Sequence, residues 1–140
     1  MQVTMKPIGF VRHGQGDQAP RHWSISDVEG WLEIDPVYGD GLSNIEPGQQ
    51  IVVIFWFDRS APFEPSLLRQ TPPNRNHPRG VFSICSPRRP NPIGLSVLDV
   101  LRIDGARIDV KHLDMYDGTP ILDIKPFVTG KDACPSTDKR

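Results

Sequence analysis

Along the chain, apolar and polar positions alternate with period two far more often than they recur every three or four residues. The clearest case is Leu101-Arg102-Ile103-Asp104-Gly105-Ala106-Arg107-Ile108-Asp109-Val110. Two alternating runs flank an Asp-Gly pair, the pattern of a β-hairpin closed by a primed turn. Ile51 to Phe57 is apolar at every position, which predicts a central strand covered on both faces. Further runs rich in Val, Ile and aromatic residues predict strands over Met5–Val11, Trp31–Asp35, Gln50–Phe57, Gly80–Ile84, Ile93–Ile103, Ala106–Leu113 and Ile121–Phe127. About seven strands in one small domain point to a mainly β fold, a barrel or sandwich with long loops; a barrel has no exposed edges.

Helix is expected to be scarce. The 15 prolines and 12 glycines leave few uninterrupted windows. Asp40–Glu46 is expected to form one helical turn and Ser24–Gly30 another, with Ser26 as N-cap. Residues 58–79 read as a long proline-rich loop, residues 5–128 as one domain and residues 129–140 as a flexible tail.

Length, charge and cysteine content narrow the function classes. A chain of 140 residues suits one domain with a real core. The longest apolar run is far short of the roughly 20 residues that span a bilayer, and the N-terminus lacks a secretory pattern, so a cytoplasmic protein is expected. Two cysteines, Cys85 and Cys134, make neither a disulfide framework nor a zinc site. The histidines at 13, 22, 77 and 112 show no metal-ligand spacing, and no metal is expected. Net charge is −1, yet residues 67–98 hold Arg69, Arg75, Arg79, Arg88 and Arg89 and no acid. Both a solvated arginine-rich surface and a phosphate-binding face fit that zone.

Several segments carry candidate chemistry. His13-Gly14-Gln15-Gly16-Asp17-Gln18-Ala19 imitates a dinucleotide fingerprint, but Pro20 follows instead of a helix, which reads as a loop. In Pro87-Arg88-Arg89-Pro90-Asn91-Pro92 the prolines hold Arg89 and Asn91 extended, either as preorganised donors or as part of a rigid surface loop. Asp117-Gly118-Thr119-Pro120 reads as a turn in which Gly118 permits positive φ. Cys85 beside Arg88 and Arg89 is a reactive thiol or, next to Phe82 and Ile84, a small buried hydrophobe.

Taken together, Pro7-Ile-Gly-Phe-Val11, Tyr38-Gly-Asp-Gly-Leu42, Ile54-Phe-Trp-Phe57, Gly80-Val-Phe82, Ser86-Pro-Arg-Arg-Pro-Asn-Pro-Ile-Gly-Leu-Ser96 and Leu113 to Pro126 resemble the TsaA-like (TrmO, YaeB) family from about Pro7 to Val128. The resemblance implies a single-sheet β-barrel that binds S-adenosylmethionine, works as a homodimer with the cofactor near the subunit interface, and methylates N6 of N6-threonylcarbamoyladenosine beside a tRNA anticodon. Longer members carry an additional C-terminal domain, which this sequence is not expected to include.

Carried over by position, the cofactor residues implied are Pro20, Arg21, His22, Asp58, Arg59, Cys85, Leu95, Asp117, Gly118, Thr119 and Pro120. Arg21 is then expected to pair with the cofactor carboxylate and Asp58 or Asp117 with its ammonium or ribose hydroxyls, while the backbone at 117–120 reads adenine. Arg89, Asn91, Tyr38 and Asp40 are the catalytic candidates, the last three able to orient the attacking amine. Arg75, Arg79 and Arg88 are expected to face RNA phosphates, with Tyr38 or Trp23 stacking on a base. The sequence departs from the family pattern at Cys85, where an arginine is usual, at His22 in place of glutamine, and at Gln49-Gln50-Ile51-Val52. The alternatives are a binding protein without turnover and a methyltransferase with a small-molecule substrate.

Overall fold

In a computed structural model describing residues 1–130, the strands are β1 (Gly9–His13), β2 (Glu29–Ile34), β3 (Gln50–Trp56), β4 (Arg69–Gln70), β5 (Arg79–Gly80), β6 (Ile93–Asp104), β7 (Arg107–Lys111) and β8 (Pro120–Pro126). Six of them close into an antiparallel barrel in the order β1-β2-β7-β6-β3-β8, with β8 pairing back onto β1. The expected mainly β barrel is present, with six strands in place of about seven. The missing one is Gly80–Ile84, where only Arg79–Gly80 pair, with Arg69–Gln70, before a 3-10 turn over Val81–Ser83.

The alternating pattern sets which side chains enter the barrel. Ile51, Val53 and Phe55 of β3, Leu98 and Val100 of β6, Ile108 and Val110 of β7, and Val11, Leu32 and Ile121 fill the core. Because the sheet closes on itself, β3 has one inner face only; Val52, Ile54 and Trp56 lie outside, half-buried rather than fully covered. The predicted hairpin joins β6 to β7 with Asp104 opposite Arg107, and Gly105 takes φ 60° at the first turn position, as a type II′ turn requires. β1 begins at Gly9 rather than Met5, since Pro7 has no N–H to continue the ladder.

The two expected helical turns fare differently. A 3-10 helix forms over Pro36–Leu42, earlier than 40–46, with the Asp35 side chain accepting from the Val37 amide. No helix forms over 24–30. Ser26 is buried and donates from Oγ to the Leu113 carbonyl at 2.6 Å, and the chain enters β2 at Glu29. The tail expected from residue 129 lies, from residue 131 on, outside the described residues, as does Cys134. No helix is long and apolar enough to cross a membrane.

Because every neighbouring pair is antiparallel, the connections sort onto two barrel mouths. Segments 14–28, 57–92 and 112–119 share one mouth. The Pro36–Leu42 helix and the Gly105 hairpin share the other. This arrangement decides which predicted residues can meet.

Candidate functional site

At the first mouth, the 112–119 segment is the hub. His112 leaves β7 with φ 80°, and its amide and that of Leu113 both donate to the Val28 carbonyl. Its ring Nδ1 lies 2.6 Å from the Ser26 carbonyl and Nε2 2.9 Å from Asp99 Oδ2. Both partners only accept, so the ring satisfies both as the doubly protonated imidazolium. The Ser26 carbonyl and Asp99 accordingly raise the His112 pKa above 6.5. With the folded pKa raised, this contribution to stability is complete below about 6.5 and is lost as pH rises through the folded value. Thermal melting across that range should show wild-type stability falling with pH, and His112→Gln should flatten the profile; an unchanged slope would contradict the assignment.

The Asp117–Pro120 turn is anchored by its own backbone. Gly118, at φ 86°, donates to the Val11 carbonyl, Thr119 N–H donates to Tyr116, and Asp117 Oδ1 accepts from the His13 amide. His13 accepts from the Gln15 amide at Nδ1, leaving Nε2–H to donate to the Met115 carbonyl at 2.7 Å. Two of the turn amides are thus already used. The Thr119 carbonyl is used too, accepting from the Val11 amide, which leaves the Asp117 and Gly118 carbonyls, rather than those N–H groups, open to a ligand.

The long 57–92 loop is braced against itself. The Phe57 amide donates to the Pro92 carbonyl, Gln70 Nε2 to the carbonyls of Leu67 and Arg88, and Ser60 Oγ to Pro87. Arg89 turns inward, its Nη1 donating to the Ile84 and Ser86 carbonyls at 3.0 and 3.1 Å. It therefore shapes the rim of the site as well as presenting charge. The Asn91 side chain is exposed and lines neither of the two clefts described next.

Two adjoining clefts open at this mouth. One, of about 420 Å³, is walled by His22, Trp23, Cys85, Arg89 and Leu95. The other, of about 480 Å³, is walled by Asp58, Arg59, Arg88, Tyr116 and Thr119. Phe55, Phe57 and Asp114 belong to both. Phe57 meets Phe55 edge-on at 4.9 Å, giving an apolar partition, and Arg59 lies 4.4 Å from the Tyr116 ring centroid while pairing with Asp17 at 2.5 Å. Pro20 and Arg21 line a shallower depression next to Ala19, which reaches the second cleft.

Among the predicted residues, Pro20, Arg21, His22, Asp58, Arg59, Cys85, Arg89, Leu95 and 117–120 therefore share one barrel mouth. Tyr38 and Asp40 do not: they sit in the Pro36–Leu42 helix at the opposite mouth. Cys85 is exposed, which removes the buried-hydrophobe reading of this thiol. Arg69, Arg75, Arg79 and Arg88 are exposed and none pairs with a carboxylate among the described residues. Also among those residues, no group of three or more His, Cys, Asp or Glu is placed to hold a metal.

Asp114 escaped the sequence reading. Its Oδ1 accepts from Ser96 Oγ at 2.5 Å and its Oδ2 from the Trp23 amide at 2.9 Å. Burial pushes its pKa up, against those hydrogen bonds and the nearby His22. No local signal marks it: alternation between Leu113 and Met115, both buried, would turn it outward, and its partners Ser96 and Trp23 lie 18 and 91 positions away.

Comparison with known proteins identifies the family and the fold. A protein of Archaeoglobus fulgidus named S-adenosyl-L-methionine-binding protein is 41% identical over 127 residues, covering 89% of each chain. The crystal structure of TrmO from Pseudomonas aeruginosa superposes with a TM-score of 0.73 at 27% identity over 99% of this chain, which spans 62% of that one. Residues 12–133 match the family described as tRNA-methyltransferase O N-terminal domain. The chain belongs to the tRNA-methyltransferase O N-terminal domain family.

Proposed function

We propose that this protein is an S-adenosylmethionine-dependent methyltransferase whose cofactor lies in the paired clefts and whose acceptor is N6 of N6-threonylcarbamoyladenosine in tRNA, beside the anticodon. The observation that carries the reading is the convergence, at one barrel mouth, of segments 20–22, 58–59, 85–95 and 117–120 around an aromatic partition. The donor set suits the cofactor. Its adenine and thioether parts call for the apolar faces of Phe55, Phe57 and Tyr116, its ammonium for Asp58, and its carboxylate for Arg59 or Arg21. Each cleft falls within the few hundred Å³ usual for small-ligand sites.

The bound cofactor would supply a methyl group on a sulfonium, transferred by in-line displacement without a covalent enzyme residue. The chain's task is then to orient the acceptor and exclude water. Arg89 and the proline-held loop form the rim, and Trp23 offers a face for an unpaired base. The exposed arginines of 69–88 give phosphates a basic approach. Leu95, 51% exposed on the outer face of β6 opposite Ile54, is an apolar surface suited to a second copy. Tyr38 and Asp40, at the far mouth of their own barrel, would join a site with Arg89 only across such a homodimer. Action on tRNA places the protein in the cytoplasm.

Mass spectrometry of tRNA nucleosides from cells lacking the gene should show threonylcarbamoyladenosine without its N6-methyl derivative, restored on complementation. An unchanged methyl content would contradict the acceptor. A second reading, a binding protein without turnover, is favoured by Cys85, which lines the cleft where the family pattern has arginine. Purified protein that binds the cofactor yet transfers no methyl group to tRNA would support it.

A further inference from the structure

Segment 18–21, which includes two of the proposed cofactor residues, makes no hydrogen bond of its own among the described residues. It is suspended between two attachments. On one side Asp17 pairs with Arg59, an exposed ion pair of the kind that contributes little rigidity. On the other, the Trp23 amide donates to Asp114 Oδ2. The turn around Trp23 is closed independently: the Ile25 and Ser26 amides donate to the His22 carbonyl, which holds His22 as well, and Ser26 Oγ ties the turn to Leu113.

Asp114 is itself fixed from inside the barrel. Ser96, wholly buried on β6, donates to Oδ1, so both carboxylate oxygens are committed and the side chain has one orientation. We propose that Asp114, held by Ser96, is a positioning residue that clamps the Trp23 backbone and so sets cofactor affinity by fixing the path of Pro20 and Arg21, which run into it. The inference rests on the cofactor reading above, and it concerns a residue to which the family resemblance assigned no role.

The clamp depends on charge. A carboxylate acceptor makes hydrogen bonds about twice as strong as a neutral one, and burial makes Asp114 easier to protonate than an ordinary aspartate. The groups facing it are His22 from the 14–28 segment, Cys85 and Arg89 from the rim, Asp58, Arg59 and Arg88 from the second cleft, and Tyr116.

Two measurements test the clamp: the S-adenosylmethionine dissociation constant by calorimetry across pH, and hydrogen exchange at the Trp23 amide in the free protein. Wild-type affinity should fall roughly two- to tenfold as pH drops through the Asp114 titration, above the range of an exposed aspartate. Asp114→Asn, a neutral acceptor, should lose that limb. Asp114→Ala should bind roughly 10- to 100-fold more weakly, and both Asp114→Ala and Ser96→Ala should speed Trp23 exchange while the barrel amides stay protected. An affinity loss without faster Trp23 exchange would overturn the clamp in favour of direct cofactor contact. Asp114→Asn with the wild-type profile would also overturn it. Failure of the wild type to bind the cofactor at all would instead remove the cofactor reading on which the proposal stands.

Discussion

Arg89→Ala should lower methyl transfer to tRNA by about 100-fold or more while leaving the barrel folded. The guanidinium does two things at once: it lines the cleft beside Cys85 and Leu95, and its Nη1 gathers the Ile84 and Ser86 carbonyls. Removing it releases both carbonyls and lets the rim drift, and displacements near 1 Å in a transfer site cost about 100-fold. None of its partners belongs to the barrel core, so melting should change little. Arg89→Lys restores the charge without the planar fork and should recover only part of the rate. Transfer of labelled methyl groups checks the rate, and an alanine variant with full activity would contradict the role of this residue.

Gly94→Ala should destabilise the protein by about 1–3 kcal/mol and weaken cofactor binding with it. A Cβ at Gly94 would stand 2.2 Å from Cζ of Phe55, and Phe55 is only 3% exposed, so the ring can give way only towards the clefts it lines. Overpacking of this kind costs about 1–3 kcal/mol. Because Phe55 also forms the partition between the two clefts, the strain reaches the site directly. Denaturant melts and cofactor titration on the same variant test both parts; a variant as stable as wild type would show that the ring does not hold that position.

The Gly94 contact also answers what the Pro87–Gly94 stretch is for. The prolines and the Phe57–Pro92 hydrogen bond make it a stiff connector, and Arg89 and Gly94 make it one wall of a cleft. Both readings were open from the sequence, and the contacts join them. Asn91, which the same reasoning raised to a catalytic candidate, is exposed outside both clefts; the prolines fixed its backbone without turning its side chain inward.

Period-two alternation with an Asp-Gly turn was enough to locate β6, β7 and their hairpin, and the run of apolar residues located β3. These signals are local. What went astray depended on contacts between distant parts of the chain. Ser26 looked like a helix cap, but its hydroxyl is taken by the Leu113 carbonyl 87 positions away. Gly80–Ile84 has strand-like residues, yet its only ladder partner is the short Arg69–Gln70 pair. Tyr38 and Asp40 lie, within one chain, at the opposite mouth from Arg89. Strand order, which alternation does not reveal, separates them by the length of the barrel. Asp114 was passed over because its importance lies in which amide it holds.

The most direct test of the account is a calorimetric titration of the purified protein with S-adenosylmethionine, paired with the same titration of Gly94→Ala. The account predicts saturable binding by the wild type, one cofactor per chain, and weaker binding by the variant in which the partition is displaced. Absence of any binding by folded wild-type protein at millimolar cofactor would contradict it.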